Sequence, residues 1–287
     1  MQDKVLPPET GGDTGQVRTQ TIVRAGETLQ RPARLVLIGC AVLHRECHYC
    51  AAVSRNIVEV RLCEKALHDI GAGRMSARLQ AEIDAVDTGA YDAILLAYGL
   101  CNNGMVGLHA KVPIVAPRAH DCITLLMGSK EKYLEYFNRN PGTYYHSSGW
   151  VERSTSSFDN PDSTTTRMGI STYQEYVDKY GEENAKYLME TLGMMANYDK
   201  FAYIDTGVGN FPAYKAEVRQ AAAKNGWKFE EIPGSVDLLL RLVNGEWADD
   251  DFLVIPPGDT IEPTHDKKII RLACSGAERR IKTPPVP

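Results

Sequence analysis

Leu35-Val36-Leu37-Ile38-Gly39-Cys40 is a run of four aliphatic residues closed by a glycine and a cysteine. An apolar run of this length, with no polar alternation, predicts a strand at 33–39 buried on both faces, as strands inside parallel sheets are. The same text returns on either side of short amphipathic stretches. A helical segment is predicted near 42–53, a strand at 56–62, helical segments at 64–70 and 75–88, strands at 91–97 and 112–116, and a helix from about 121 to 138. Short apolar runs alternating with helical ones predict a parallel sheet with crossover helices.

Residues 139–171 interrupt this rhythm with glycines, prolines and a Ser/Thr-rich stretch, and are expected to form a long loop or lid. Helical text resumes over 172–196. A second alternation follows, with strand 201–205, helix 213–224, strand 228–232, helix 235–243 and strand 252–255. Its order echoes the first, so the expected fold is α/β, two Rossmann-like parallel-sheet halves facing a central cleft. The expected divisions are a loose tail at 1–31, a cysteine-bearing domain at 32–140, the loop or lid at 141–171, a second α/β domain at 172–265 and an extension at 266–287. Gly207, Gly209, Asn210 and the turn Pro256-Pro257-Gly258-Asp259-Thr260 are expected to wall the cleft opposite the cysteines.

With 287 residues, 43% hydrophobic and 24% charged, the composition is that of an ordinary globular chain. A formal net charge of -5 with no Lys/Arg stripe argues against a nucleic-acid surface. Nothing resembles a spanning apolar run or a secretory signal at the N-terminus, so the expectation is a cytoplasmic protein acting on a small molecule or a protein partner. Seven cysteines, an odd number, fit free thiols or ligands better than a disulfide framework.

Three of those cysteines carry the functional reading. Cys40, Cys101 and Cys122 each follow an apolar run, and ligands of open parallel sheets bind beyond the carboxyl ends of the strands. Thiolates from three such ends, with His120 as fourth donor, predict a zinc site, with an iron–sulfur cluster or another soft metal as the alternative. The plainer alternative is three small buried hydrophobes. Asp121 is expected to cap a helix whose first turn holds Cys122 and favours its thiolate.

His120 stands as metal ligand, acid/base or structural residue, and Glu46 as a base projecting into the cleft or a solvated helix position. Arg118 is expected to balance thiolate charge, to hold an anionic ligand or cofactor, or to form a surface ion pair. Gly99 and Gly104 flank Cys101 and let backbone approach a cofactor, and Tyr144 belongs to a lid or a packed linker. His44, Cys47, His48 and Cys50 spell half a zinc site that no second pair completes.

Tyr98-Gly99-Leu100-Cys101, Arg118-x-His120-Asp121-Cys122-Ile123, Gly128-Ser129 and Pro141-Gly142-Thr143-Tyr144 with Trp150 resemble an uncharacterised microbial family classed only as a domain of unknown function. The likeness spans roughly 33–260. Members are often encoded near corrinoid-dependent methyltransferases, so the resemblance implies roles for Cys40, Glu46, Cys101, His120 and Cys122, and a corrinoid protein or methyltransferase as partner. The Cys47 and Cys50 pair departs from the usual family text. Three readings of the chemistry stay open: a metal-thiolate enzyme of group transfer in one-carbon or corrinoid metabolism, a non-catalytic metal or tetrapyrrole carrier, and a metal-free enzyme using Cys122 with His120.

Overall fold

The computed structural model describes residues 32–64, 67, 72–153 and 198–273. The expected tail at 1–31, most of the helix at 64–70, the helix at 172–196 and the last fourteen positions with Cys274 lie outside them.

Among the described residues the chain is mixed α/β, built on two largely parallel sheets. The first half runs β1 (Arg34–Cys40), a single 3-10 turn (Ala41–Leu43), α1 (His44–Val53), β2 (Ile57–Cys63), α2 (Ala72–Asp84), β3 (Ala93–Ala97), β4 (Ile114–Pro117), α3 (Cys122–Met127) and α4 (Lys130–Arg139). Then come β5 (Thr143–His146), α5 (Ser148–Glu152), β6 (Lys200–Asp205), α6 (Pro212–Lys224), β7 (Lys228–Pro233), α7 (Asp237–Asn244), β8 (Phe252–Ile255), β9 (Ile261–Pro263) and β10 (Ile270–Leu272).

The larger sheet has the order β2-β1-β3-β4-β8. Its first four strands are parallel, and β8 runs antiparallel against β4. β3 and β4 are buried along their whole length and β1 at all but Arg34, which is why their sequences are aliphatic runs rather than alternations. β2, at the edge, is half exposed. The chain leaves β1 toward β2 on one side and resumes with β3 on the other, so the strand order reverses between β1 and β3, where such folds open a binding crevice. The smaller sheet, β5-β6-β7, is parallel throughout, and its own core gathers Phe201, Tyr203, Val218 and Ala222 under Tyr144, Trp227 and Phe229.

The two sheets meet through the segments that follow their carboxyl ends. After β5, Gly149 lies against the Val42 carbonyl that follows β1; after β6, Thr206 donates to Glu46 of α1; after β7, Ser235 N–H donates to the Leu126 carbonyl of α3 at 2.8 Å. The halves therefore face each other, end to end, as expected.

Three expectations are corrected in detail. The segment read as a loop from 139 contains β5 and α5; β5 is four residues long, too short for its period to declare itself beside Pro141 and Gly142. The single helix expected at 121–138 is two, because Gly128 turns left-handed at φ 73° and Ser129 caps a new helix through the N–H groups of Glu131 and Lys132. The strand expected to close the second half, β8, joins the first sheet. Because it runs antiparallel, the Pro256–Thr260 turn sits beside the start of β4, at the edge of the sheet away from Cys40, and does not wall the cleft. β10, within the segment set apart as an extension, pairs with β9.

Candidate functional site

The carboxyl edge of the larger sheet collects the cysteines. Cys40 ends β1 in register with Cys63 at the end of β2. Cys101 follows β3, and its N–H donates to the His120 carbonyl at 2.8 Å, so the strand pairing of β3 and β4 continues into the two loops. Gly99 fixes how close they come: a Cβ there would lie 2.4 Å from the Asp121 nitrogen. Cys101, Asn102 and Asn103 all adopt left-handed φ, at 44°, 56° and 65°. A left-handed turn built without glycine is costly, roughly 1–2 kcal/mol per residue before asparagine's partial tolerance, and such strain concentrates at working sites.

Cys122 opens α3 behind Asp121, whose carboxylate accepts from the Ile123 and Thr124 N–H groups as the capping expectation required. The cap has a consequence opposite to the expected thiolate. Burial raises the Cys122 thiol well above its ordinary range, and Asp121, Cys101 and Cys40 add to the rise; the Trp150 side chain of α5, facing it, pulls the other way. Cys101 is pushed up to about 12 by burial, then by Cys40 and Asp121. Cys63 is raised by burial against the Tyr98 hydroxyl that faces it. The helix N–H groups that would favour a thiolate are already taken by Asp121, so without a cation these sulfurs stay protonated near neutral pH.

The three predicted thiols thus come near enough to bear on one another's ionisation. As placed, no three or more His, Cys, Asp or Glu side chains among the described residues are grouped to hold a single metal ion. His120, expected as fourth ligand, is exposed. Buried polar side-chain atoms lacking a hydrogen-bond partner include Glu46 Oε2 and the Tyr145 hydroxyl, both at the seam between the halves.

Glu46 lies on the cleft side of α1, 1% exposed, with Thr206 Oγ1 donating to its Oε1 at 2.8 Å. Burial drives its carboxyl up, against the Thr206 hydrogen bond. Beside it His44 Nε2 and the Arg45 guanidinium both grip Glu152 of α5, at 2.9 Å for the histidine, and the Tyr214 hydroxyl of α6 donates to the same carboxylate at 3.0 Å. Arg45 also stacks over Phe211, 4.2 Å from its ring centre, and the Phe211 ring lies against Gly209. Glu152, Thr206 and Tyr214 carry no sequence motif; only the assembled fold brings them to α1.

Other candidates have different employment. Arg118 is buried, its Nε donating to the Asp249 carbonyl and Nη1 to the Lys268 carbonyl at 3.1 Å, with a further bond to the Ile270 carbonyl and an ion pair to Asp249. It ties Asp249, Lys268 and the start of β10 to the end of β4. Gly104 makes room for Met75 of α2, and Tyr144 packs among His146, Tyr198 and Phe201 in the smaller core. Cys47 and Cys50 point into the core, Cys47 raised well above its ordinary range and Cys50 to about 12 by burial, whereas His48 is exposed; the half zinc site does not assemble.

A family model described as Protein of unknown function (DUF1638) matches residues 62–243, well over half of the chain. The chain belongs to this family. The DUF1638 match takes in Cys63, Cys101, Cys122 and the whole smaller sheet, and starts after Cys40, Glu46 and strand β1. No curated protein and no solved structure matches. Among the described residues no helix is long and apolar enough to cross a membrane.

Proposed function

We propose that Cys40, Cys101 and Cys122 hold a soft-metal centre with one position open to a small molecule, and that the protein works in group transfer within one-carbon or corrinoid metabolism. What supports the reading is that Cys40, Cys101 and Cys122 follow three adjacent parallel strands, two of them flanking the reversal of strand order where parallel folds bind ligands, and that each of Cys101 and Cys122 is raised by the other thiols named. The donor set suits such a metal: thiolates select zinc, copper(I) and iron–sulfur centres over hard cations. An open thiolate-bound metal can activate a thiol or water as nucleophile.

The chain's own residues supply the rest. Raised thiols stay neutral until a cation replaces their protons, so metal binding and thiol ionisation are one event. Glu46, its carboxyl raised by burial and anchored across the seam by Thr206, is placed to hold or pass a proton at Oε2. His44, Arg45 and Glu152 tie α1 to α5. The metal-free thiol alternative is weaker, because Asp121 opposes a thiolate at Cys122 and His120 is exposed.

Metal analysis of anaerobically purified protein, repeated on the Cys40→Ala, Cys101→Ala and Cys122→Ala variants, tests the reading. A soft metal retained near stoichiometry and lost in each variant supports it. Metal-free protein that takes up none when offered zinc or iron with sulfide overturns it.

A further inference from the structure

We propose that Cys40 and Cys63 form a reversible disulfide that ties the ends of β1 and β2, a redox site at the carboxyl edge of the larger sheet. The site needs only these two sulfurs and stands whether or not a metal binds nearby.

Register is the first ground. Cys40 and Cys63, both thiols in this structure, are Cα partners in the parallel pairing of β1 with β2 and close that ladder. Neighbouring strands stand about 4.8 Å apart, and a disulfide joins Cα atoms roughly 4.4 to 6.8 Å apart. Among the described residues no other two cysteines are strand partners.

Facing is the second ground. Side chains alternate along a strand, so the pair before the cysteines fixes which way they look. A Cβ on Gly39 would lie 3.3 Å from Cys47 Sγ of α1 and 3.5 Å from Leu62 Cδ2, so Gly39 and its partner Leu62 look toward α1. Cys40 and Cys63 therefore share the opposite face. Tyr98 agrees from a third strand: it comes directly after Ala97, the partner of Gly39, and its hydroxyl is influenced by Cys40 and Cys63 together.

Freedom of the strand ends is the third. Side chains of in-register parallel partners project side by side, about 4.8 Å apart at Cβ, whereas a disulfide takes roughly 3.5 to 4.5 Å there. The ends must draw together slightly. They have room to do so, because β1 passes into the 3-10 turn directly after Cys40, β2 is an edge strand that stops at Cys63, and no pair lies beyond them. A bond made under such tension is the kind that reductants reopen.

The oxidant that fits is hydrogen peroxide, because the two residues are only 8% and 6% exposed and admit little that is larger. One sulfur, as thiolate, attacks a peroxide oxygen; the O–O bond breaks, a sulfenic acid forms and water leaves with the proton of the thiol. The partner sulfur then attacks the sulfenic sulfur, an S–S bond replaces the S–O bond, and its proton leaves with hydroxide as a second water. Two electrons pass from the sulfurs to the peroxide. A dithiol reductant reverses the change by exchange and itself ends as a disulfide. Burial holds the Cys63 thiol above its ordinary range, so the attack is slow beside that of an exposed, activated cysteine. Cys40 is also a proposed metal ligand, and it cannot hold a metal and the disulfide at once.

The test is peroxide treatment of the full chain, freed of metal by a chelator under reducing conditions, then alkylation and trypsin without reductant. Trypsin leaves Cys40 as the one cysteine of residues 35–45 and Cys63 as the one cysteine of 62–65. The expected result is loss of two of the seven thiols, a peptide joining those two stretches, and recovery of both thiols with dithiothreitol. Cys40→Ser and Cys63→Ser each abolish the joined peptide, and Cys50→Ala does not. Should a serine variant fail to fold, the joined peptide from the unaltered chain decides alone. Cys40 joined to Cys101 or Cys122 instead, oxidation that dithiothreitol does not reverse, or thiols that react only after unfolding overturns the disulfide. With metal absent throughout, none of these outcomes bears on the soft-metal reading, which its own metal analysis decides.

Discussion

Gly149 stands against Val42 so closely that a Cβ at 149 would lie 1.8 Å from the Val42 carbonyl oxygen. Val42 is two residues past Cys40, and Trp150, beside Gly149, faces Cys122. One backbone contact therefore sets both how the smaller sheet seats on the larger and how α5 covers the thiols. Gly149→Ala cannot be relieved by rotating a side chain, because the obstacle is backbone. Overpacking of this kind costs about 1–3 kcal/mol or more. The expected outcome is a lowered thermal midpoint together with loss of bound metal; unchanged stability would mean that the seam yields easily and does not position the site.

Glu46 gives the protein a pH dependence with a definite sign. Burial raises its folded-state pKa above the ordinary value of 4.5, so between the two the native chain binds more protons than the unfolded one. Stability contributed through Glu46 is then fully present below the ordinary carboxylate range and declines as pH rises through the raised value. Glu46→Gln keeps the shape and can still accept from Thr206, but cannot ionise. Denaturant midpoints measured from mildly acidic to mildly alkaline buffer should fall less steeply for Glu46→Gln than for the wild type. Parallel curves would show that Glu46 does not carry the slope.

The alternation of buried runs with helices was readable in the sequence because β1, β3 and β4 are buried on both faces and leave no polar residue to blur the period. That Cys40, Cys101 and Cys122 lie at or beyond the carboxyl ends of those strands was readable for the same reason: Cys40 closes β1, and Cys101 and Cys122 come in the segments that follow β3 and β4. What could not be read were pairings made across the seam. Thr206 meets Glu46 over 160 positions and Glu152 meets Arg45 over 107, and nothing local to those residues announces a partner. The direction of β8 was hidden likewise, since Phe252-Leu253-Val254-Ile255 reads the same whichever way the strand runs. Cys122 was misjudged because burial, and after it the Asp121 carboxylate that caps the helix through the Ile123 and Thr124 N–H groups, outweigh what a helix start offers a thiolate.

Arg118 separates a structural from a ligand-binding role. Its guanidinium serves the carbonyls of Asp249, Lys268 and Ile270 and the exposed carboxylate of Asp249. Arg118→Ala orphans carbonyls that are packed against the sheet, at a cost of about 1–3 kcal/mol for buried groups left unpaired. Arg118→Lys reaches fewer of them and should recover only part. Both variants are expected to melt earlier while keeping the wild-type metal content per folded chain. Metal lost from well-folded Arg118→Lys would return the residue to the site.

Gly99 offers the sharpest separation of site from scaffold. Its missing side chain lets the loop after β3 lie on the backbone of Asp121, with a Cβ only 2.4 Å from nitrogen and 2.5 Å from Cα. The contact joins Cys101 to Cys122 while the sheet is already complete at Ala97. In Gly99→Ala one loop must lift, and the easier one is the left-handed Cys101–Asn103 turn, which then relaxes its strain as it withdraws. The expected signature is a modest loss of stability, of the 1–3 kcal/mol order of an overpacked contact, beside a much larger loss of metal affinity. Circular dichroism and metal titration on the same sample read the two separately. Equal small losses in both would mean that Cys101 is not held in place by this contact, and that the left-handed turn keeps its conformation for another reason.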